Sequence, residues 1–399
     1  MYQLYCRVYQ NVFRLVSYFL PFRKPILIEG EGSLSKLPDV VLSNGTDNVI
    51  IVTDRVLVSL GMIDSLLDGL RNKGIQYVVY DGTVPNPTID NIEEALKLYK
   101  LNQCKGIIAF GGGSSMDCAK GIAARLAQPN KSIPQMKGVL KVLKAIPPLY
   151  AIPTTSGTGS EATIAAVITN SKTHEKYAIN DTALIPHYAV LDPALTLALP
   201  KHITSTTGID ALTHAVEAYI GRSNTNETKT MSKAAVKLIV DNIYEAYSNG
   251  VNMVARENMQ KAAYYAGIAF TRAYVGNVHA IAHTLGGFYS TPHGLANAVI
   301  LPYVLKAYGT SVHQQLSELE DVITVPSHQE NIEVKANRFI ERIIALNKNM
   351  SIPDKIGGIN DDDISLMVER AFYEANPLYP VPKIFTRDDL KAIYYEIKG

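Results

Sequence analysis

Histidine is scarce in this chain, 9 in 399 residues, and it is unevenly placed. His279, His283 and His293 fall in one short stretch, and His214 stands four residues after Asp210. Residues four apart on a helix share a face, so Asp210 and His214 would present a carboxylate and an imidazole together. The same spacing joins His279 to His283, with His293 in a loop beside Gly294. Imidazoles with one carboxylate suit Fe2+, Zn2+ or Mn2+ and leave a position for a substrate oxygen. Each pair alone has a plainer explanation, a helix-surface hydrogen bond or a histidine satisfied in a core. Their clustering favours a metal.

A second group of residues could hold a nucleotide. Gly111, Gly112, Gly113, Ser114 and Asp117 lie between a strand-like run at 106–110 and a helix expected over 118–126. Glycines let a backbone approach a diphosphate closely, and the free N–H groups of a helix start favour its charge. A tight strand-to-helix turn would use the same glycines. A polar loop with Thr154, Thr155, Thr158 and Glu161 also follows an apolar run; its hydroxyls would line a diphosphate or cap a helix. Asp54, at the end of the run 48–54, is placed to accept hydrogen bonds from ribose hydroxyls, which favours NAD over NADP. Capping the next turn is the alternative for Asp54.

The elements around these residues divide the chain. Short apolar runs at 25–28, 48–54, 77–80 and 106–110 alternate with helical patterns at 63–73, 89–100 and 118–126. Further strands fit 149–152, 165–169 and 188–191. This βαβ rhythm predicts an α/β domain of Rossmann-like type with a parallel sheet. Beyond residue 200 the periodicity becomes helical at 207–220, 227–248, 255–273, 278–289, 295–307, 333–346, 363–374 and 386–397. The expected organisation is an N-terminal amphipathic helix at 1–24, an α/β domain at 25–199 and an all-helical domain at 200–399.

Composition narrows the function classes. Hydrophobic residues make up 47% and charged residues 19%, enough for real cores. With 38 basic against 37 acidic residues, the chain lacks the sustained positive charge of a nucleic-acid binder. Cys6, Cys104 and Cys118 show neither metal-site spacing nor a disulfide framework, which suggests a reducing compartment such as the cytoplasm. Residues 1–24 carry Arg7, Arg14, Arg23 and Lys24, and the first acidic residue is Glu29. Leu4, Val8, Val12, Leu15, Val16 and Phe19 recur at helical spacing up to Pro21. Such a helix is expected to pack on the body or on a partner subunit; membrane-surface contact and organellar targeting are the alternatives.

Taken in order, 81–88, the glycine cluster, 153–161, 210–217 and 279–294 resemble an iron-containing alcohol dehydrogenase, from about Pro25 to the C-terminal segment. The resemblance implies a primary alcohol or aldehyde substrate, NAD, Fe2+ with Zn2+ as the other ion, and a homodimer. It implies Asp210, His214, His279 and His293 as metal ligands, and moves His283 to a proton-moving or positioning role beside the nicotinamide. Asp54, Asn86, Gly112, Gly113, Ser114, Asp117, Thr154, Thr155, Thr158 and Lys176 match cofactor positions in similar enzymes. Phe270 matches a substrate-pocket wall. Ala165 matches a substrate position but departs from the asparagine of the lactaldehyde-specific branch. A polyol dehydrogenase or an alcohol–carbonyl transhydrogenase is the related alternative; a nucleotide-binding, membrane-associated interaction protein is the non-enzyme one.

Overall fold

The computed structural model describes residues 1–173, 175–324 and 330–399. They form two compact units, Pro21–Ala198 and a second built from Met1–Leu20 with Leu199–Gly399. The chain opens with α1 (Tyr2–Tyr18), which belongs to the second unit.

The first unit runs β1 (Ile26–Glu29), α2 (Leu37–Ser43), β2 (Asn48–Val52), α3 (Arg55–Ser59), α4 (Asp64–Asn72), β3 (Gln76–Tyr80), α5 (Ile89–Leu101), β4 (Gly106–Gly111), α6 (Gly113–Ala127), β5 (Gly138–Val139), β6 (Leu149–Pro153), β7 (Ala165–Asn170), β8 (Glu175–Asn180) and β9 (Tyr188–Leu191). The main sheet has six strands in the order β1-β9-β6-β4-β2-β3, all parallel. Its central strands β2, β4 and β6 are apolar on both faces because both are covered. Ile50, Val52, Ile107, Ala109, Leu149 and Ala151 pack into the core beneath α5 and α6. Their neighbours Val49, Ile51, Ile108, Phe110, Tyr150 and Ile152 pack into the core beneath α2 and α4. This is the period-2 alternation of a strand applied to two buried faces. The chain runs outward from β2 to β3, then returns to the other side of β2 with β4. The connections therefore diverge at the C-terminal ends of β2 and β4, the place where an open parallel sheet offers a crevice.

Two expectations need correction here. Residues 165–169 form a strand, but β7 lies outside the main sheet, in a three-stranded sheet of order β5-β8-β7. It pairs antiparallel with β8 because residues 171–174 are too few for a parallel crossover. Helix α6 begins at Gly113 rather than residue 118, so the glycine cluster is partly its first turn.

The second unit contains, besides α1, α7 (Lys201–Ile220), α8 (Asn226–Ser248), α9 (Met253–Ala273), α10 (Asn277–Tyr289), α11 (His293–Tyr308), α12 (His313–Ile323), α13 (Ile332–Asn349), α14 (Asp361–Ala375) and α15 (Arg387–Ile397). Side-chain caps at Thr225, Asn252 and Thr386 satisfy the first backbone N–H groups of α8, α9 and α15. Helix α7 is buried from residue 208 to residue 220, so its polar residues must find partners inside the unit. Helix α12 escapes the periodicity because its buried apolar residues are few, Leu316 and Leu319. The architecture is the α/β unit with a parallel sheet plus a helical unit that the pattern predicts.

Candidate metal centre and dinucleotide site

Three helices of the second unit converge on the histidines. Asp210 and His214 lie one turn apart on α7, His279 and His283 one turn apart on α10, and His293 begins α11. His293 is therefore not a loop residue: Pro292, at the N-cap, starts the helix there. Gly294 then allows a close approach, since a Cβ at this position would stand 2.6 Å from the Thr206 carbonyl oxygen of α7. That approach brings His293 Nε2 to 3.7 Å from Asp210 Oδ1. Asp210, His214, His279 and His293 each offer one ligand atom, and these atoms all lie within 4.8 Å of one another. Asp210, His214 and His279 are buried and His293 is partly so.

The donor chemistry fits a divalent ion. Glu217 Oε2 lies 2.6 Å from His279 Nδ1, and the two Glu217 oxygens also accept from the Gly276 and Val278 backbone N–H groups at 2.8 Å each. A carboxylate at Nδ1 holds the proton there and turns the Nε2 lone pair toward the cluster, the arrangement a metal-ligating histidine needs. Burial alone would lower the His279 pKa, but the Glu217 charge and hydrogen bond outweigh it and the net shift is upward. In the middle of the cluster sits the Asn297 Nδ2, 2.6 Å from Asp210 Oδ1, 3.2 Å from His279 Nε2 and 3.1 Å from His293 Nε2. A carboxylate and two imidazoles thus converge on a neutral amide, whose own Oδ1 is buried without a partner. Lone pairs gathered in this way suit a cation.

Around this cluster, Phe270 stacks on His214 with ring centroids 4.2 Å apart. His283 is turned differently: its Nδ1 meets Glu374 Oε1 at 2.5 Å, and the Tyr379 hydroxyl donates to the same oxygen at 3.0 Å. It stays beside the cluster, its ring 5.2 Å from that of His293.

In the α/β unit most nucleotide candidates follow the C-terminal ends of main-sheet strands, while Lys176 lies near the start of β8. Gly112 is the N-cap of α6 and Gly113 its first residue. A Cβ on Gly113 would meet Thr158 Cγ2 at 2.8 Å, so the glycine lets the loop after β6 close on the helix start. Thr154 N donates to the Gly111 carbonyl at 3.0 Å, and Thr155 lies against Gly112. Ser114 Oγ accepts from Asn86 N at 3.3 Å, and Lys176 Nζ donates to Asn86 Oδ1 at 2.8 Å. Asp54 caps α3, its Oδ1 accepting from Val56 N and Leu57 N at 2.9 and 3.0 Å. The capping alternative for Asp54 is thus realised.

Asp117 also has a structural task, accepting from Ser160 Oγ at 3.0 Å and Val167 N at 3.2 Å. Beside it Lys120 is fully buried and donates to Ser160 Oγ, Thr163 O, Thr163 Oγ1 and Ala165 O at 2.9–3.0 Å. Loss of solvation pushes Asp117 up to about 6 and the buried Glu161 up to about 7, and brings Lys120 down to about 8. Ala165 meets this network through its backbone carbonyl.

Comparison with known proteins decides the family. Residues 25–193 match the model of the iron-containing alcohol dehydrogenases, and residues 204–397 match that of the C-terminal region of the Fe-containing alcohol dehydrogenase family. The chain belongs to the iron-containing alcohol dehydrogenase family. Alcohol dehydrogenase 4 of Saccharomyces cerevisiae is 35% identical over 381 residues, covering 95% of this chain and 97% of the yeast protein. The NAD-dependent methanol dehydrogenase of Bacillus methanolicus is 32% identical over 381 residues, covering 95% and 99%. Among solved structures, the alcohol dehydrogenase of Oenococcus oeni superposes with a TM-score of 0.90 at 35% identity, over 94% of this chain and 99% of that one. The chain is thus an oxidoreductase that interconverts alcohols and aldehydes, and the NAD and iron expected of it agree with the family and its NAD-dependent member.

Several residues of this alcohol dehydrogenase escaped the sequence reading. Asn297 follows His293 by one helical turn, a signal that was available once α11 was known to start at His293. Glu374 and Tyr379 are distant in sequence from His283, so no local spacing announces them. Lys120 was visible as a lone cation within the otherwise apolar stretch 118–124. Glu217 follows Asp210 by seven residues and so shares its face of α7, but its grip on His279 depends on α10 docking beside α7.

Proposed function

We propose that this enzyme oxidises primary alcohols and reduces short aldehydes with NAD, using Fe2+ held by Asp210, His214, His279 and His293. The observation that carries this reading is the convergence of one carboxylate and three imidazoles within 4.8 Å in a chain of this family. When bound, Fe2+ supplies Lewis acidity toward the alcohol or carbonyl oxygen, and NAD accepts or returns the hydride. Glu217 keeps His279 in the ligating tautomer and fixes its ring. Phe270 forms an apolar wall against His214. His283 moves a proton through its outer nitrogen while Glu374 anchors Nδ1.

On the cofactor side, Gly112, Gly113 and the N-terminus of α6 receive the diphosphate, with Ser114, Thr154, Thr155 and Thr158 as hydroxyl partners. Asn86, Lys176 and Asp117 complete that set, Asp117 acting by holding the loop after β6 in place. Both capping bonds of Asp54 fall on Oδ1, which supports the use of Oδ2 for ribose hydroxyls and a preference against the 2′-phosphate of NADP. Ala165, small where the lactaldehyde branch has asparagine, supports a simple primary alcohol over a hydroxyaldehyde. A homodimer and a reducing, cytoplasmic setting belong to the same reading. The setting is supported by the free, buried Cys6, Cys104 and Cys118, of which burial raises Cys104 to about 11 and Cys118 to about 12.

The test is anaerobic NAD reduction over a panel of primary alcohols, with metal-stripped protein restored with Fe2+ or Zn2+. NADH formation that returns with Fe2+ supports the assignment and ranks the substrates. Folded protein that binds Fe2+ and NAD but reduces no NAD with any alcohol overturns it.

A further inference from the structure

Helix α1 is amphipathic in the wrong sense for a helix that packs on a protein core. Its buried residues are Cys6, Gln10 and Ser17. Leu4, Val8, Val12, Leu15 and Phe19, spaced three or four apart, form an outward stripe that is 54–77% exposed. Tyr5 and Val16 widen it. The inner face is firmly held. Arg7 donates to the Val381 and Pro382 carbonyls at 2.7 and 2.8 Å, Gln10 donates to the Tyr379 carbonyl at 2.7 Å, and Tyr2 stacks on Phe372. Rolling the stripe inward would break these bonds, so the apolar face is presented outward by design of the contact. A continuous apolar face of this kind marks an interaction surface.

Charge chooses the occupant. Residues 1–28 contain no carboxylate. Arg14 and Leu15 of α1 line one groove together with Lys229 and Arg272, and Leu4 and Arg7 line another with Lys383. Two acids offset part of this charge, Glu227 at 3.7 Å from Arg272 and Asp389 at 3.4 Å from Lys383, and Arg7, Arg14 and Lys229 leave the two grooves with a positive surplus. A two-fold contact with a second copy would set this basic patch against itself, because an isologous interface matches a surface with the same surface. Anionic lipid headgroups complement it instead. Tyr5, Tyr9 and Tyr18, exposed along the helix, carry an apolar ring and a polar tip, the form favoured at a membrane–water boundary. No described helix is long and apolar enough to cross a membrane, so α1 would lie in the surface plane.

We propose that α1 docks this dehydrogenase on an anionic lipid surface through the stripe from Leu4 to Phe19. The full-length protein should cosediment with vesicles of phosphatidylcholine and phosphatidylserine, bind phosphatidylcholine vesicles much more weakly, and be released by salt. The Val12→Glu, Leu15→Glu double variant should lose at least about tenfold in partitioning, while alcohol oxidation in free solution stays normal as the control for folding. Arg14→Glu should weaken binding and flatten its salt dependence with the stripe intact. Absence of wild-type binding to either vesicle overturns the proposal, as does equal binding to both. If light scattering shows a dimer that Val12→Glu, Leu15→Glu dissociates, and no vesicle is bound, the face belongs to a second copy.

Discussion

Each unit holds a buried cluster of ionisable side chains close to its candidate site, and these two are built on opposite plans. In the α/β unit the cation belongs to the chain: the Lys120 ammonium is surrounded by hydroxyls and carbonyls, with Asp117 and Glu161 supplying negative charge. In the helical unit Asp210, His279 and His293 surround the neutral amide of Asn297. The first network is closed and knits α6 to the loop after β6 and to β7. The second gathers lone pairs around no charge of its own, which suits an ion from outside. Burial and polarity are common to both, so neither property alone distinguishes a structural network from a ligand site. The inventory of donors and acceptors does.

The closed cluster should be the costlier to break. Lys120→Met keeps the length of the side chain and removes its charge, leaving Asp117 and Glu161 buried without their cation. Removing one partner from a buried ionic network costs on the order of 3–5 kcal/mol. Denaturant unfolding of the α/β unit, followed in parallel with NAD binding, measures this. A loss under about 1 kcal/mol would mean that the ammonium is dispensable and that the two clusters differ less than their contacts indicate.

The open cluster should respond in affinity rather than in fold. Glu217→Gln puts an amide where two backbone N–H groups and the His279 Nδ1 proton now meet carboxylate oxygens. One amide oxygen cannot serve all three, so His279 loses its fixed tautomer. Loss of such a supporting carboxylate lowers metal affinity by roughly 10–100-fold. Anaerobic Fe2+ titration gives the number directly. Unchanged affinity with lowered thermal stability would place Glu217 in a structural network of the Lys120 kind.

The clusters also differ in how far the sequence discloses them. Asp210 with His214, and His279 with His283, can be read because one helical turn fixes which residues share a face. The glycine cluster and the loop from Thr154 to Thr158 can be read as strand-to-helix punctuation. What spacing cannot supply is the approach of separate elements. His293 reads as a loop residue until α11 is seen to begin there, with Gly294 against α7. Asn297, Glu374 and Tyr379 acquire meaning only from the docking of α10, α11 and α14. The three-stranded sheet hides for a similar reason: β7 has the same apolar texture as the main strands, and only its pairing with β8 sets it apart. Helix α1 was legible as amphipathic, but periodicity does not say which face the body covers. Here the polar face is covered, which the pattern would not lead one to expect.

The smallest expected effect is a pH dependence that tests whether the closed cluster is as tightly coupled as its geometry implies. Glu161 rises from an ordinary value of 4.5 to about 7, chiefly because burial strips water from its carboxylate. A carboxyl with a raised folded-state pKa binds its proton more tightly in the folded chain. Its contribution to stability is therefore full below 4.5 and is lost as pH climbs through about 7. Asp117, raised from 3.8 to about 6, adds a slope of the same sign over its own window. Lys120 works at the other end: lowered from 10.5 to about 8, it adds stability as pH rises through that interval. Glu161→Gln removes one acidic contribution while keeping shape and burial. Between pH 4.5 and 7 the variant should gain on the wild type as pH rises, by on the order of 2 kcal/mol in total. Parallel stability curves for the two proteins across that window would show that Glu161 stays ionised in the fold. The Lys120 cluster would then be a stronger ion trap than its hydrogen bonds suggest, and the contrast with the metal centre would rest on charge alone.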